Sequence, residues 1–226
     1  MNEHNIRATT ATTVYDRIRD DILSGGLAPA LKLRIEFVCE RYGTGASPVR
    51  EALNRLSQDG LVERRDQRGF YVAAVSLEQL DELVKTRCWV EAIALRESII
   101  HRNAPWEENL VLAFHRLSRT KRSLDTAAYT INPEWEERHR AFHHALIANC
   151  GSSQLLTFCD ELRDQADRYR KLAAARVFPQ RQGPDEHRGI MEATIDGDID
   201  RAVSLLDAHY RRTQAIIEEE FRSRPA

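Results

Sequence analysis

Long apolar runs are missing from this 226-residue chain, which excludes a helix of the roughly 20 apolar residues that a bilayer requires. The opening segment MNEHNIRATTATT also lacks the apolar stretch of a secretory signal, so the expected location is the cytoplasm. Cysteines number only 4. They are Cys39, Cys88, Cys150 and Cys159, with no C-x-x-C pair, which argues against a disulfide framework or a zinc ribbon and for small core residues. Neither sign of charge dominates, since 33 Lys+Arg against 35 Asp+Glu leave a net charge of −2. The first 75 residues carry 11 Lys+Arg and 10 Asp+Glu, the remainder 22 and 25. Affinity for nucleic acid therefore has to come from placement of charge rather than its amount. G-x-S-x-G, G-x-x-x-x-G-K and G-x-G-x-x-G are absent as well, leaving no candidate nucleophile elbow or nucleotide cradle.

What is present describes a folded chain: 42% of residues are hydrophobic and 30% charged, and the length suffices for two domains with separate cores. Residues 1–12 are polar and aperiodic and read as a tail. Val14, Ile18 and Ile22 then recur at helical spacing up to Gly25-Gly26. A second short helix is expected over Ile35–Tyr42, with Phe37, Val38 and Tyr42 toward the core and Gly43 as its stop. Ser47 as N-cap and Pro48 at the first helical position open a third helix that buries Val49, Leu53 and Leu56. The runs LVERR and FYVAAV around Gly69 form a hairpin signature. After Ser76, whose spacing to Gln79 suits a capping box, only helical patterns follow, over about 77–102, 107–123, 134–149, 153–176, 185–196 and 198–220. Their expected breaks are Pro105, Asn132-Pro133, Gly151, the 178–184 segment and Gly197-Asp198. The fold class is thus mainly α, in three parts: a tail over 1–12, a winged helix-turn-helix over 13–75 and an all-α helical bundle over 76–226.

A helix-turn-helix lays its second helix in the major groove, so that helix needs one buried and one polar face. Ser47, Arg50, Asn54 and Arg55 are left over for phosphates and base edges, and Arg50 offers a guanidinium fork suited to guanine. Arg64, Arg65 and Arg68 on the hairpin would straddle the flanking backbone. A small helical domain with a solvated charged surface would show a similar pattern. The ordered series LAPALKL, ERYG, SPVREALNRLSQDGLVERR and RGFYVAAVS resembles the winged helix-turn-helix of the GntR family. That resemblance implies DNA contacts from Arg50 and from the wing around Gly69. It also shows departures, because Gly45 and Ala46 stand where many relatives carry Ser-Arg, and Glu36 stands where others are basic.

In the rear half, His139 and His143 are spaced i, i+4 and share a helix face with Phe142 and Leu146. His187 shares a face with Ile190, Met191 and Thr194, and His209 one with Ala202, Leu205, Leu206 and Ile216. Folding the last two helices back at Gly197-Asp198 puts His187 and His209 at nearly equal height, ~15–18 Å from the turn. Imidazoles from three helices suit a borderline divalent ion such as zinc or nickel, whereas each histidine alone reads equally as a packed core residue. His139-x-x-Phe142-His143, Glu186-His187 and His209 are similar to the FCD ligand-binding domain of FadR-like GntR regulators, a helical bundle in which an Asp and three His bind a divalent metal. Here His139 takes the Asp position, and Ser152 replaces a common Asn.

Within that family KLR, RY, REAL, H-x-x-FH-x-A-L-I-x-x-CGS and RYR resemble a glutarate-sensing subgroup, which implies a dicarboxylate or related short acid as effector. Arg87 and Arg170 are the candidate carboxylate grips. The expectation is a homodimeric repressor that binds operator DNA, releases it on binding a small carboxylic acid, and has no membrane partner. Two other classes compete with it. A metal-dependent helical enzyme would exploit His139 and His143, although Arg140 stands where the H-E-x-x-H motif needs its glutamate. A helical interaction protein would leave the winged front unexplained.

Overall fold

The computed structural model describes residues 10–125, 129–177 and 183–222. It divides into two compact units, Met1–Ser76 and Leu77–Ala226.

The first unit holds α1 (Thr10–Ser24), β1 (Lys32–Leu33), α2 (Ile35–Tyr42), α3 (Ala46–Gln58), β2 (Val62–Arg65) and β3 (Gly69–Val72). Apolar residues at helical spacing on α1 and α3 put Ile18, Ile22, Val49, Leu53 and Leu56 in one core with Val38 and Val72. Full burial of each such side chain contributes about 1.5–3 kcal/mol before entropy. Gly43 ends α2 at φ 66° with its N–H on the Cys39 carbonyl, a left-handed conformation that glycine adopts without Cβ strain. The strands form an antiparallel sheet in the order β1-β3-β2, with Arg65 opposite Gly69 and Leu33 opposite Phe70. Two-residue β1 escapes sequence periodicity.

Three expectations for this unit change. Helix α1 begins at Thr10, so residues 10–12 are helical rather than tail, while 1–9 lie outside the described residues. Phe37 is exposed, because the inward face of the short α2 is already taken by Val38 and Tyr42. Gly45, in extended conformation and without a side-chain cap, is the N-cap of α3; Ser47 and Pro48 sit inside its first turn.

The second unit is helical: α4 (Leu77–Ile100), α5 (Ala104–Arg119), α6 (Pro133–Ile147), α7 (Ser153–Val177), α8 (Gly183–Ile195) and α9 (Ile199–Arg222). Among its described residues the only strand-like feature is a bridge between Ser123 and Ile131. Pro105 does not break the chain but lies in the first turn of α5, where Asn103 accepts a hydrogen bond from the Trp106 N–H. The missing N–H of proline costs nothing at that position. Asn132 caps α6 in the same way, accepting from the Glu134 N–H ahead of Pro133. Helix α4 packs against α6, α7 and α9, which is why Leu80, Val84, Leu95 and even Arg87 and Glu91 are buried along it. Helices α8 and α9 form a hairpin closed by Gly197 at φ 75°, where a Cβ would come within 2.0 Å of the Arg102 Nη1. Residues 178–182 of the expected 178–184 break lie outside the described residues.

All four cysteines are free, with Cys88, Cys150 and Cys159 buried and Cys39 half-buried. Burial pushes the Cys88 and Cys159 thiols up to about 12, so they remain protonated, unreactive core groups.

Candidate functional site

The α8–α9 hairpin and α6 bring four imidazoles together inside the second unit. His139 and His143 lie one turn apart on α6 with ring centroids 4.6 Å apart. His187 on α8 is 5.2 Å from His139 and 4.7 Å from His209 on α9. One nitrogen from each ring falls within 4.8 Å of the others, and all four side chains are at most 9% exposed. The convergence expected from the hairpin geometry is present, and α6 completes it.

Carboxylates and hydroxyls outside the cluster orient two of the rings. Glu91 is held by Arg87 at 2.8 Å and accepts the Tyr210 O–H at 2.5 Å. With its single proton committed to Glu91, the Tyr210 oxygen accepts from His143 Nδ1–H at 3.2 Å. The remaining His143 nitrogen, Nε2, therefore carries a lone pair, and it is buried with no hydrogen-bond partner. His209 Nδ1 contacts Glu186 at 2.7 Å, the carboxylate–imidazole arrangement that leaves Nε2 as the donor to an ion. Burial, and then the neighbouring His143, Arg170, His187 and His209, hold His139 well below 6.5. Burial with His209, His187, Arg163 and Arg87 does the same to His143. Neutral imidazoles with an unshared lone pair form the donor set that zinc or nickel takes, so the residues fit a divalent ion.

A narrow cavity adjoins the cluster and is lined by His139, His143, His209, Arg87, Arg163 and Arg170 among others. Arg87 and Arg170, the candidate carboxylate grips, both line the cavity, yet neither is open. The Nε and Nη2 of Arg87 both face Glu91, at 2.9 and 2.8 Å, and its guanidinium lies 4.1 Å from the Tyr210 ring centroid. Arg170 is spread over Asp167 and Glu136. A buried guanidinium needs its own carboxylates. Glu91, four residues after Arg87, was the readable signal. Glu186 stood beside His187 in the motif that resembles the FCD domain, whereas Tyr210, Glu136 and Asp167 had no such signal.

In the first unit, Ser47, Arg50 and Asn54 are exposed on α3. A cleft joins that helix to the hairpin, lined by Arg50, Asn54, Arg64, Arg65 and Gly69. Arg68 is exposed in the turn, where its N–H bonds the Arg65 carbonyl. Arg65 is tied to Glu63 at 2.9 Å and stacks 4.3 Å from the Tyr71 centroid. Arg55 departs from expectation. It lies 4.3 Å from the Tyr15 ring centroid, and Tyr15 donates to Asp59 at 2.6 Å, so Arg55 fastens α3 to α1 and Arg50 is the arginine on the open face.

Comparison with known proteins agrees with both halves. Residues 10–72 match the model of the bacterial regulatory proteins of the gntR family, and residues 82–212 match the FCD domain. BphR of Paraburkholderia xenovorans, described as an uncharacterized HTH-type transcriptional regulator, is 35% identical over 95% of this chain and 87% of its own. The HTH-type transcriptional repressor GlaR of Escherichia coli is 32% identical over 93% and 96%. The solved structure of E. coli McbR/YncC superposes with a TM-score of 0.78 at 18% identity, covering 95% of this chain and all of that one. Family and relatives are regulators, and no metalloprotease glutamate follows His139. The chain belongs to the GntR family, in the branch that joins a winged helix-turn-helix to a helical FCD domain, and is a DNA-binding transcriptional regulator rather than an enzyme.

Proposed function

We propose that this regulator is a cytoplasmic, homodimeric repressor whose operator affinity is lowered by a small carboxylic acid bound in the helical unit beside a divalent ion. His139, His143, His187 and His209 would hold the ion, zinc or nickel. When bound, it supplies a Lewis-acidic position for a carboxylate oxygen. The observation that carries this reading is the set of four buried imidazoles within 4.8 Å, beside a cavity walled by arginines. The remaining work is done by the chain: Glu186 and Tyr210 orient the rings, and the surrounding packing excludes water. The acid weakens DNA binding by its differential affinity for the two poses of the winged units, and by no more.

The experiment selects duplexes from a random-sequence pool with the purified chain, then titrates the complex with malonate, succinate, glutarate and adipate in a mobility-shift assay. Release by at least one acid is the expected result, and retention with all of them overturns the reading. On the same duplex Arg50→Ala should weaken binding about 10- to 100-fold, the ~1–3 kcal/mol of one bidentate base contact, without altering acid binding.

Dimerisation rests on α4, where Trp89, Ile93 and Ile100 stand 60%, 55% and 59% exposed at i, i+4 and i+11 on one face. An apolar stripe of this kind on a helix marks an association surface. Trp89→Glu should give a monomer by analytical ultracentrifugation, and DNA affinity should fall because two half-site contacts become one.

A further inference from the structure

The register of the wing sheet sorts its residues onto two faces, because successive side chains of a strand point to opposite sides. Leu33 and Val72 are buried and Phe70 packs against the core of the first unit, so these three mark the inner face. Arg64 opposes Phe70 and shares that face. Glu63 and Lys32 oppose Tyr71, and Arg65 opposes Gly69, which puts Glu63, Arg65, Tyr71 and Lys32 on the outer face. The two adjacent arginines of β2 therefore leave the strand in opposite directions. Arg64 is exposed and lines the cleft with Arg50 and Asn54 of α3. Among the described residues, none of these three side chains makes a hydrogen bond or an ion pair. Two guanidinium forks and an amide, all with uncommitted donors, suit a strand of duplex DNA whose bases the helix reads and whose phosphates flank it.

Arg65 borders the same cleft, but its charged end is committed on the other side. Its Nε and Nη2 both donate to Glu63 Oε2, at 3.2 and 2.9 Å, and its guanidinium lies 4.3 Å from the Tyr71 ring centroid. The second oxygen of that carboxylate, Oε1, accepts the Ala74 N–H at 3.1 Å. Ala74 follows β3 and precedes Ser76, where the first unit ends. Arg65 thus holds the carboxylate that fastens the start of the connection to α4 onto the sheet. We infer that the two arginines of β2 divide two tasks. Arg64 contacts a backbone phosphate of the operator beside the bases that α3 reads. Arg65 is a positioning residue, which through Glu63 fixes the direction in which the chain leaves the wing. The inference uses the DNA-binding role of the winged unit and does not depend on acid sensing.

The test follows fluorescence anisotropy of a selected duplex with the full-length chain across a salt series, together with amide hydrogen exchange at Ala74. Each phosphate contact contributes about 0.9 to the slope of log affinity against log salt. Arg64→Ala should therefore reduce the slope by about 1, while Arg64→Lys, which keeps the charge, should retain it. Arg65→Ala should leave the slope unchanged and speed exchange at Ala74. Glu63→Ala, which removes the acceptor itself, should speed that exchange about 2- to 10-fold, the worth of one hydrogen bond. Combining Arg65→Ala with Glu63→Ala should add nothing to Glu63→Ala alone, because the arginine acts through the carboxylate. Both arginines are exposed, so neither substitution empties a core position. A slope that falls equally in Arg65→Ala would put both arginines on phosphates and overturn the division. An unchanged slope in Arg64→Ala, or unchanged exchange in Glu63→Ala, would overturn it as well. A wild-type chain that selects no duplex would overturn the DNA-binding role itself, and this inference with it.

Discussion

Replacing His143 by Ala should lower zinc affinity at least about 100-fold, more than the 10- to 100-fold cost typical of losing a group that merely orients a ligand. The substitution removes a buried lone pair on Nε2. It also deprives the Tyr210 oxygen of the N–H it accepts at 3.2 Å. Tyr210 keeps its bond to Glu91 and Glu91 keeps Arg87, so the buried ion pair survives and the bundle should still fold. Competition against a chromophoric chelator reads the affinity directly. DNA binding without effector should change little, since Ser47, Arg50, Asn54 and the hairpin arginines belong to the other compact unit. A His143→Ala chain that takes up zinc like wild type would remove His143 from the ion's ligands.

The second large effect is a loss of stability of the metal-stripped chain in mild acid. His139 and His143 are held well below 6.5 in the folded state by burial and neighbouring positive charge, whereas in the unfolded chain they titrate near 6.5. Between the folded values and 6.5 the unfolded state binds more protons, so stability rises with pH in that window and is lost as pH falls through it. From pH 7.5 to 5.5 the loss is on the order of 1 kcal/mol per histidine. The buried Asp167 does not contribute there. Burial pushes it up, but Arg170 and Arg140 more than offset this and hold it below 3.8, so its stabilisation is lost only at lower pH. All three tryptophans, Trp89, Trp106 and Trp135, lie in the second unit, so urea unfolding followed by tryptophan fluorescence isolates it. His139→Phe combined with His143→Leu should flatten the profile between these pH values.

Much of this architecture was legible because its signals are local. Val49, Leu53 and Leu56 repeat at helical spacing, and the structure buries all three. Gly197 marks a hairpin whose residue count alone aligned His187 with His209. What failed depends on packing between distant segments. Lys32–Leu33 is a strand only because the outer edge of β3 is available to pair with it. Arg55 looked like a DNA contact until Tyr15 of α1 was placed beneath it. Arg87 and Arg170 could be recognised as cations near a ligand site, but charge pairing across helices, such as Arg170 with Glu136 thirty-four residues away, leaves no trace in spacing.

The account stands on the link between the imidazole cluster and DNA release, and fluorescence anisotropy of a selected duplex bound to the zinc-loaded, full-length chain tests that link most directly. Titration with the most active acid of the malonate-to-adipate panel should release the duplex from wild-type protein in a saturable way, and should release far less from the His143→Ala chain at the same concentrations. Equal release from both proteins, or none from either across malonate, succinate, glutarate and adipate, would contradict it.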